Sequence, residues 1–144
     1  MKITPFGKAT AAQIGLLEKQ IGSRLPDDYR SFLIENNGGE VNDSLFFVHE
    51  LGEDILFDVF FGFNEKRALD LNFWIDELEG ERPENSLMIG KDPGGNFILL
   101  DWSNKRPGIY YWDRGFCYPD SSEENSTYFV AKSFTDFVIG FKRA

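Results

Sequence analysis

Cysteine and histidine are almost missing from this chain: its 144 residues carry one of each, Cys117 and His49. A lone cysteine permits no intrachain disulfide and no thiolate metal centre, and a lone histidine removes paired-imidazole sites. A Ser-His-Asp triad would hang on His49 alone. No serine or cysteine nucleophile accompanies it in a nameable pattern, so it reads as a structural or surface residue. Cations are also short, with 15 Lys and Arg against 24 Asp and Glu, a net charge of −9 and a pI near 4.6. Affinity for a phosphate backbone is built from Lys and Arg, so no nucleic-acid partner is expected. No apolar run approaches the roughly 18–20 residues that span a bilayer. The opening MKITPFGKATAAQ has no apolar signal core. The expectation is a cytoplasmic protein without membrane contact, in which the sequon matches Asn42-Asp43-Ser44 and Asn125-Ser126-Thr127 are idle.

Aromatic residues, by contrast, are plentiful at 16%, with 15 phenylalanines. That is ample for the core of one domain of this length. The chain is organised around Ser86–Asp113, which reads as three consecutive strands: Leu87-Met88-Ile89, Phe97 to Trp102 and Ile109 to Trp112. The first turn, Asp92-Pro93-Gly94-Gly95-Asn96, has the Pro-Gly order of a type II turn. Phe97-Ile98-Leu99-Leu100 is apolar on both alternating faces, as in a strand covered on two sides.

Ahead of it, Thr10 and Gln13 form a capping box for a helix from Ala11 to Ile21, with Ile14, Leu17 and Ile21 as its stripe and Gly22 as its stop. A second helix begins at Pro26, with Asp27 and Asp28 at its positive end, Tyr29, Phe32 and Leu33 buried, and Gly38-Gly39 terminating it. Strands follow at Leu45–Val48 and Ile55–Phe61. A third helix runs from about Asn64 to Leu78, with Ala68, Leu71, Ile75 and Leu78 as its stripe. Beyond the central strands come a short extended piece at Phe116–Pro119, a polar loop at 120–126, a strand at Tyr128–Val130 and a closing helix. That last helix opens at Ser133, buries Phe134, Phe137, Val138 and Phe141, and ends on Lys142-Arg143. The sum is a single α+β domain: a largely antiparallel, twisted sheet of about five to six strands with about four helices packed against it.

Asp76, Glu77, Glu79 and Glu81 crowd the C-terminal end of the third helix, where carboxylates oppose the helix dipole, so local stability does not account for them. A solvated acidic patch is one reading; the sharper one is a docking surface for a basic partner. A rival reading makes Asp92, Asp101 and Asp113 hard-cation ligands, or the 92–96 turn a ligand cradle. No glycine spacing matches a P-loop or dinucleotide fingerprint.

Several motifs taken together resemble the SUKH superfamily, which includes fungal cell-wall assembly regulators and many bacterial immunity proteins. They are Leu25-Pro26-Asp27-Asp28-Tyr29 with Asn37-Gly38-Gly39, then Phe61-Gly62-Phe63, Met88 to Phe97, Ile109 to Asp113, and Ser133-Phe134 with Phe137. The likeness runs from about Ala9 to Phe141. Pro93 and Asn96 depart from the family's pattern in the turn. The resemblance implies a non-enzymatic protein without a cofactor or metal, binding a basic toxin domain as a monomer or weak homodimer. For such a partner it implies contacts through Asp76, Glu77, Glu79 and Glu81 and through Glu50, Glu53 and Asp54, with Trp74 or Trp102 as aromatic anchors, core burial being the alternative for both tryptophans. A regulatory scaffold is the alternative it also implies.

Overall fold

The computed structural model describes residues 2–114 and 126–144. Cys117, the extended stretch expected at Phe116–Pro119, and the polar loop up to residue 125 lie outside the described residues. The elements in chain order are β1 (Lys2–Pro5), α1 (Ala11–Ile21), α2 (Asp27–Asn36), β2 (Gly39–Asn42), β3 (Ser44–Val48), β4 (Glu53–Leu56) and β5 (Val59–Phe60). A 3-10 turn (Arg67–Leu69) and α3 (Leu71–Glu77) come next, followed by β6 (Ser86–Lys91), β7 (Phe97–Asp101), β8 (Gly108–Trp112), β9 (Thr127–Ala131), α4 (Phe134–Ile139) and β10 (Lys142–Arg143). The class is α+β, as the pattern implies. The strands number ten among the described residues rather than five to six, in two antiparallel sheets: β1-β2-β5-β6-β7-β8-β9 and β10-β3-β4.

The chain changes sheets three times, after β2, after β4 and between β9 and β10, which splits one expected strand in two and adds β10; β1 and β2 are further strands of the large sheet. Asp43, in the left-handed region at φ 52°, turns β2 of the large sheet into β3 of the small one. At Phe57-Asp58 the chain returns: Phe57 N–H donates to Ser44 O at 2.9 Å, and Asp58 N–H donates to Lys91 O at 3.1 Å. The single strand expected over Ile55–Phe61 is therefore two, one in each sheet. β10 pairs with β3 (Lys142↔Leu45), so Lys142-Arg143 form a strand after Gly140 caps α4 rather than a helix end.

Successive strand residues point to opposite faces, and Phe60-Phe61 shows what each face meets. Phe60 lies 5.0 Å from Phe32 of α2 and 5.5 Å from Phe134 of α4, ring centre to ring centre. Phe61 stacks on Trp74 of α3 at 5.9 Å. α2 and α4 thus cover one face and α3 the other. β7, flanked by β6 and β8, is buried throughout, as its two-sided apolar run requires. On the first face Phe46 of β3 meets Tyr111 and Phe137 at 5.7 and 5.5 Å, sealing the small sheet onto the large one.

The helix starts follow local chemistry. Thr10 and Gln13 form the capping box, and Gly22 ends α1 at φ 73°. Pro26 occupies the N-cap of α2 rather than its first helical position, at φ −56° and ψ 144°. α2 ends on Asn37, itself left-handed at φ 52°, one residue before the glycines expected to stop it. The Asn37 carboxamide then lies along the chain at Phe63: its Nδ2 donates to Phe63 O at 3.0 Å, and Phe63 N–H donates to its Oδ1 at 2.8 Å. A Cβ on Gly62 would fall 1.9 Å from Asn37 O, so only glycine permits this approach.

Candidate partner-binding surface

The third helix is shorter than its periodicity suggests. Asp70 caps it, accepting from Phe73 N–H through Oδ2 and from Asn64 N–H through Oδ1, both at 3.0 Å. The preceding residues form the 3-10 turn, and Ala68 is exposed rather than part of the buried stripe. Leu71, Ile75 and Leu78 anchor the segment. Trp74 packs edge-on to Phe97 at 5.0 Å, and its Nε1–H donates to Ala68 O at 3.1 Å. Trp74 is thereby half-buried and packed against the core, as Trp102 also is.

Beyond Leu78 the chain folds back, with Glu81 and Arg82 N–H both donating to Leu78 O at 3.0 Å. Asp76, Glu77, Glu79, Glu81 and Glu84 all remain exposed on this ridge. Glu81 accepts from Arg114 at 3.1 Å. The other four form no ion pair among the described residues. Asp76 and Glu77, in the last turn of α3, oppose its dipole, and no described cation pairs with them to offset that cost.

Trp102, half-buried, lines an open groove of about 540 Å³ together with Glu79, Glu84 and Ile21. The fold thus brings Trp102 to the helix-three carboxylates across some twenty residues of sequence. Glu84 escaped the sequence reading because it follows Arg82-Pro83. Its signal was position: it continues the acidic run past the residue expected to end it.

The second acidic set lies elsewhere. Glu50, Glu53 and Asp54 are exposed on the β3–β4 hairpin of the small sheet. Asp54 accepts from Lys142 at 2.7 Å, and that ammonium also sits 5.2 Å over the Phe47 ring. His49, in the same hairpin, is exposed with its ring edge-on to Phe47 at 4.8 Å. α3 packs on the large sheet at β6, so the two acidic sets ride on different layers.

The 92–96 turn is built differently from the expectation. Gly95, not Gly94, takes the positive φ, at 86°, which is the pattern of a three-residue hairpin loop rather than a type II turn. The buried Asp92 carboxylate holds this loop: it accepts from Asn96 N–H at 2.8 Å, from Asn96 Nδ2 at 3.2 Å and from Tyr111 OH at 2.7 Å. Arg114 N–H donates to Asn96 Oδ1 at 2.9 Å. Burial first, then the bond to Asp92, pushes the Tyr111 phenol well above its ordinary range. Asp101 lies at the other end of the hairpin. It pairs with Ser86 while Phe97 pairs with Lys91, a separation of roughly 13 Å along β7. Asp101 there accepts from Ser103 N–H at 2.8 Å and faces Arg106 at 3.6 Å. The fold therefore does not gather Asp92, Asp101 and Asp113 around one point. No group of three potential ligands forms among the described residues. No helix among them is long and apolar enough to cross a membrane.

The class is that of a single α+β domain with one large and one small antiparallel sheet. The pattern of the SMI1/KNR4 family (SUKH-1) matches residues 8–140, and the chain belongs to that family. It is also similar, at 29% identity over 147 residues, to the SPbeta prophage-derived uncharacterized protein YokK of Bacillus subtilis strain 168; the match covers 90% of this chain and 73% of the relative.

Proposed function

We propose that this chain is a non-enzymatic binding protein of the cytoplasm, an immunity protein that neutralises a basic toxin domain of nuclease type by direct contact. The observation carrying this reading is the ridge of Asp76, Glu77, Glu79 and Glu84, exposed and unpaired with any cation among the described residues, with Trp102 in the groove beside it. An enzyme that grips nucleic acid presents a basic surface, and a carboxylate ridge complements it while speeding encounter. A half-buried tryptophan beside the charges is the kind of side chain that anchors such contacts. Family membership supports the reading, since immunity proteins and cell-wall regulators are the two types the SUKH resemblance implies. The regulator type would use the same surface on a constitutive partner.

The test is co-expression with toxin-domain reading frames encoded beside this gene, followed by affinity measurement on the isolated complex. The expected result is a complex with a basic protein that weakens steeply as salt rises from about 50 to about 500 mM, where charge screening shortens to a few ångströms. Reversal of Asp76, Glu77, Glu79 and Glu84 to Lys weakens it by roughly tenfold or more at low salt. Unchanged affinity in that variant removes the ridge from the account.

A further inference from the structure

Leu16 is an apolar side chain that the fold does not use. The core-facing stripe of α1 runs through Ile14 and Leu17, both buried, whereas Leu16 is 70% exposed. It stands in an open groove of about 700 Å³ between α1 and α3, with Leu17 and Phe63 beneath it. Glu65 and Asp76 line this groove and no Lys or Arg does. Lys19, Lys66 and Arg67 neighbour it in sequence without entering its wall. The remaining wall is carboxamide, notably Gln20 of α1 and Asn72 of α3. Their side chains form no hydrogen bond among the described residues.

We infer that this groove receives an extended segment of the basic partner, with an aliphatic side chain on Leu16 and a Lys or Arg reaching Glu65 and Asp76. The assignment rests on the proposed reading of the acidic ridge, to which Asp76 also belongs, and names where on it the partner's chain lies. The chemistry on each part of the wall selects the occupant. Two carboxylates without a cation select positive charge. The exposed Leu16 shares this wall with the half-buried Phe63 and the buried Leu17, offering an apolar contact between the charges. Carboxamides carry both donor and acceptor, matching the free N–H and C=O groups of an extended main chain. A helix has already used those groups internally, so an extended segment fits the wall better.

The test uses the whole chain, labelled with nitrogen-15, and three synthetic hexapeptides followed by amide chemical shifts at low salt: KVKLKV, KSKSKS and EVELEV. The expected result is that KVKLKV shifts the amides of Leu16, Gln20, Phe63, Asn72 and Asp76, with KSKSKS at least about tenfold weaker despite equal charge and EVELEV inert. Leu16→Ser removes the advantage of KVKLKV while leaving the melting temperature in place, since the side chain is mostly in water. Equal affinity of the two basic peptides overturns the groove. Shifts confined to Glu50, Glu53 and Asp54 also overturn it, while leaving an acidic docking surface standing. Absence of any response to either basic peptide overturns the groove and the charge reading together.

Discussion

Replacing Asn37 tests how one side chain fastens α2 to the large sheet. Its carboxamide makes two hydrogen bonds to the backbone of Phe63, at 3.0 and 2.8 Å, and its own backbone holds φ 52°. Asn37→Gly keeps that conformation without strain but removes both bonds. Each bond contributes about 0.5–1.5 kcal/mol net, with a further penalty where the Phe63 groups stay dry, so the loss is about 2–3 kcal/mol. Asn37→Ala adds the left-handed penalty of about 1–2 kcal/mol, for roughly 3–5 kcal/mol in all. Asn37→Asp retains the acceptor for Phe63 N–H but sets a carboxylate oxygen against Phe63 O, and is less stable than wild type. At roughly 2–4 °C per kcal/mol for a domain of this size, Asn37→Gly melts about 4–12 °C lower, with Ala lower again. Chemical denaturation followed by tryptophan fluorescence supplies the free energies. A glycine variant as stable as wild type would refute the bonding account, and an alanine variant equal to the glycine one would refute the strain account.

Two further outcomes follow from buried tyrosines. The Tyr29 hydroxyl is fully buried and has no hydrogen-bond partner among the described residues, so Tyr29→Phe removes an unsatisfied group and raises stability by about 1 kcal/mol; a loss of that size in a urea melt would show that the hydroxyl is satisfied. Burial also raises the Tyr29 and Tyr111 phenols above their ordinary value near 10. Their neutral forms therefore favour the folded state fully below pH ~10, and that contribution declines as pH rises beyond it, because the unfolded chain ionises first. Absorbance titration at the phenolate band should show these two groups ionising only with alkaline unfolding. In Tyr111→Phe the late-ionising amplitude falls, and an unchanged amplitude would contradict the assignment.

Local chemistry was legible in the sequence wherever a motif fixed its own geometry. The Thr10–Gln13 box, the Gly22 stop, the Ser133 cap and the two-faced apolar run of β7 all form as their residues dictate. The motifs Asn37-Gly38-Gly39 and Phe61-Gly62-Phe63 were legible as separate signs; that they are two halves of one contact required the fold. Periodicity failed where the chain changes sheets. Ile55–Phe61 alternates and branches like one strand, and nothing local distinguishes a strand that stays in its sheet from one that leaves at Phe57. It also overran at the third helix, because Ala68 fits the helical spacing while Asp70, a better cap, resets the start. Of the candidate site, the acidic ridge was visible as a charge run opposing a dipole. The packing of Trp74 was not, since the 3.6-residue spacing places it at a stripe's edge without saying that Phe61 and Phe97 await it. The groove at Leu16 gave no sign, because its two walls lie nearly fifty residues apart.

β5 is only two residues long, yet it joins β2 to β6 and so carries the large sheet across its middle. Phe60 and Phe61 send one ring to each side there. Inserting or deleting a single residue between Asp58 and Gly62 would exchange the two rings, placing each in the wrong half of the molecule and displacing Gly62 from beneath Asn37. A change of side-chain size would disturb one half alone. The number of residues between Asp58 and Gly62 thus constrains the fold more tightly than the size of any one side chain among them.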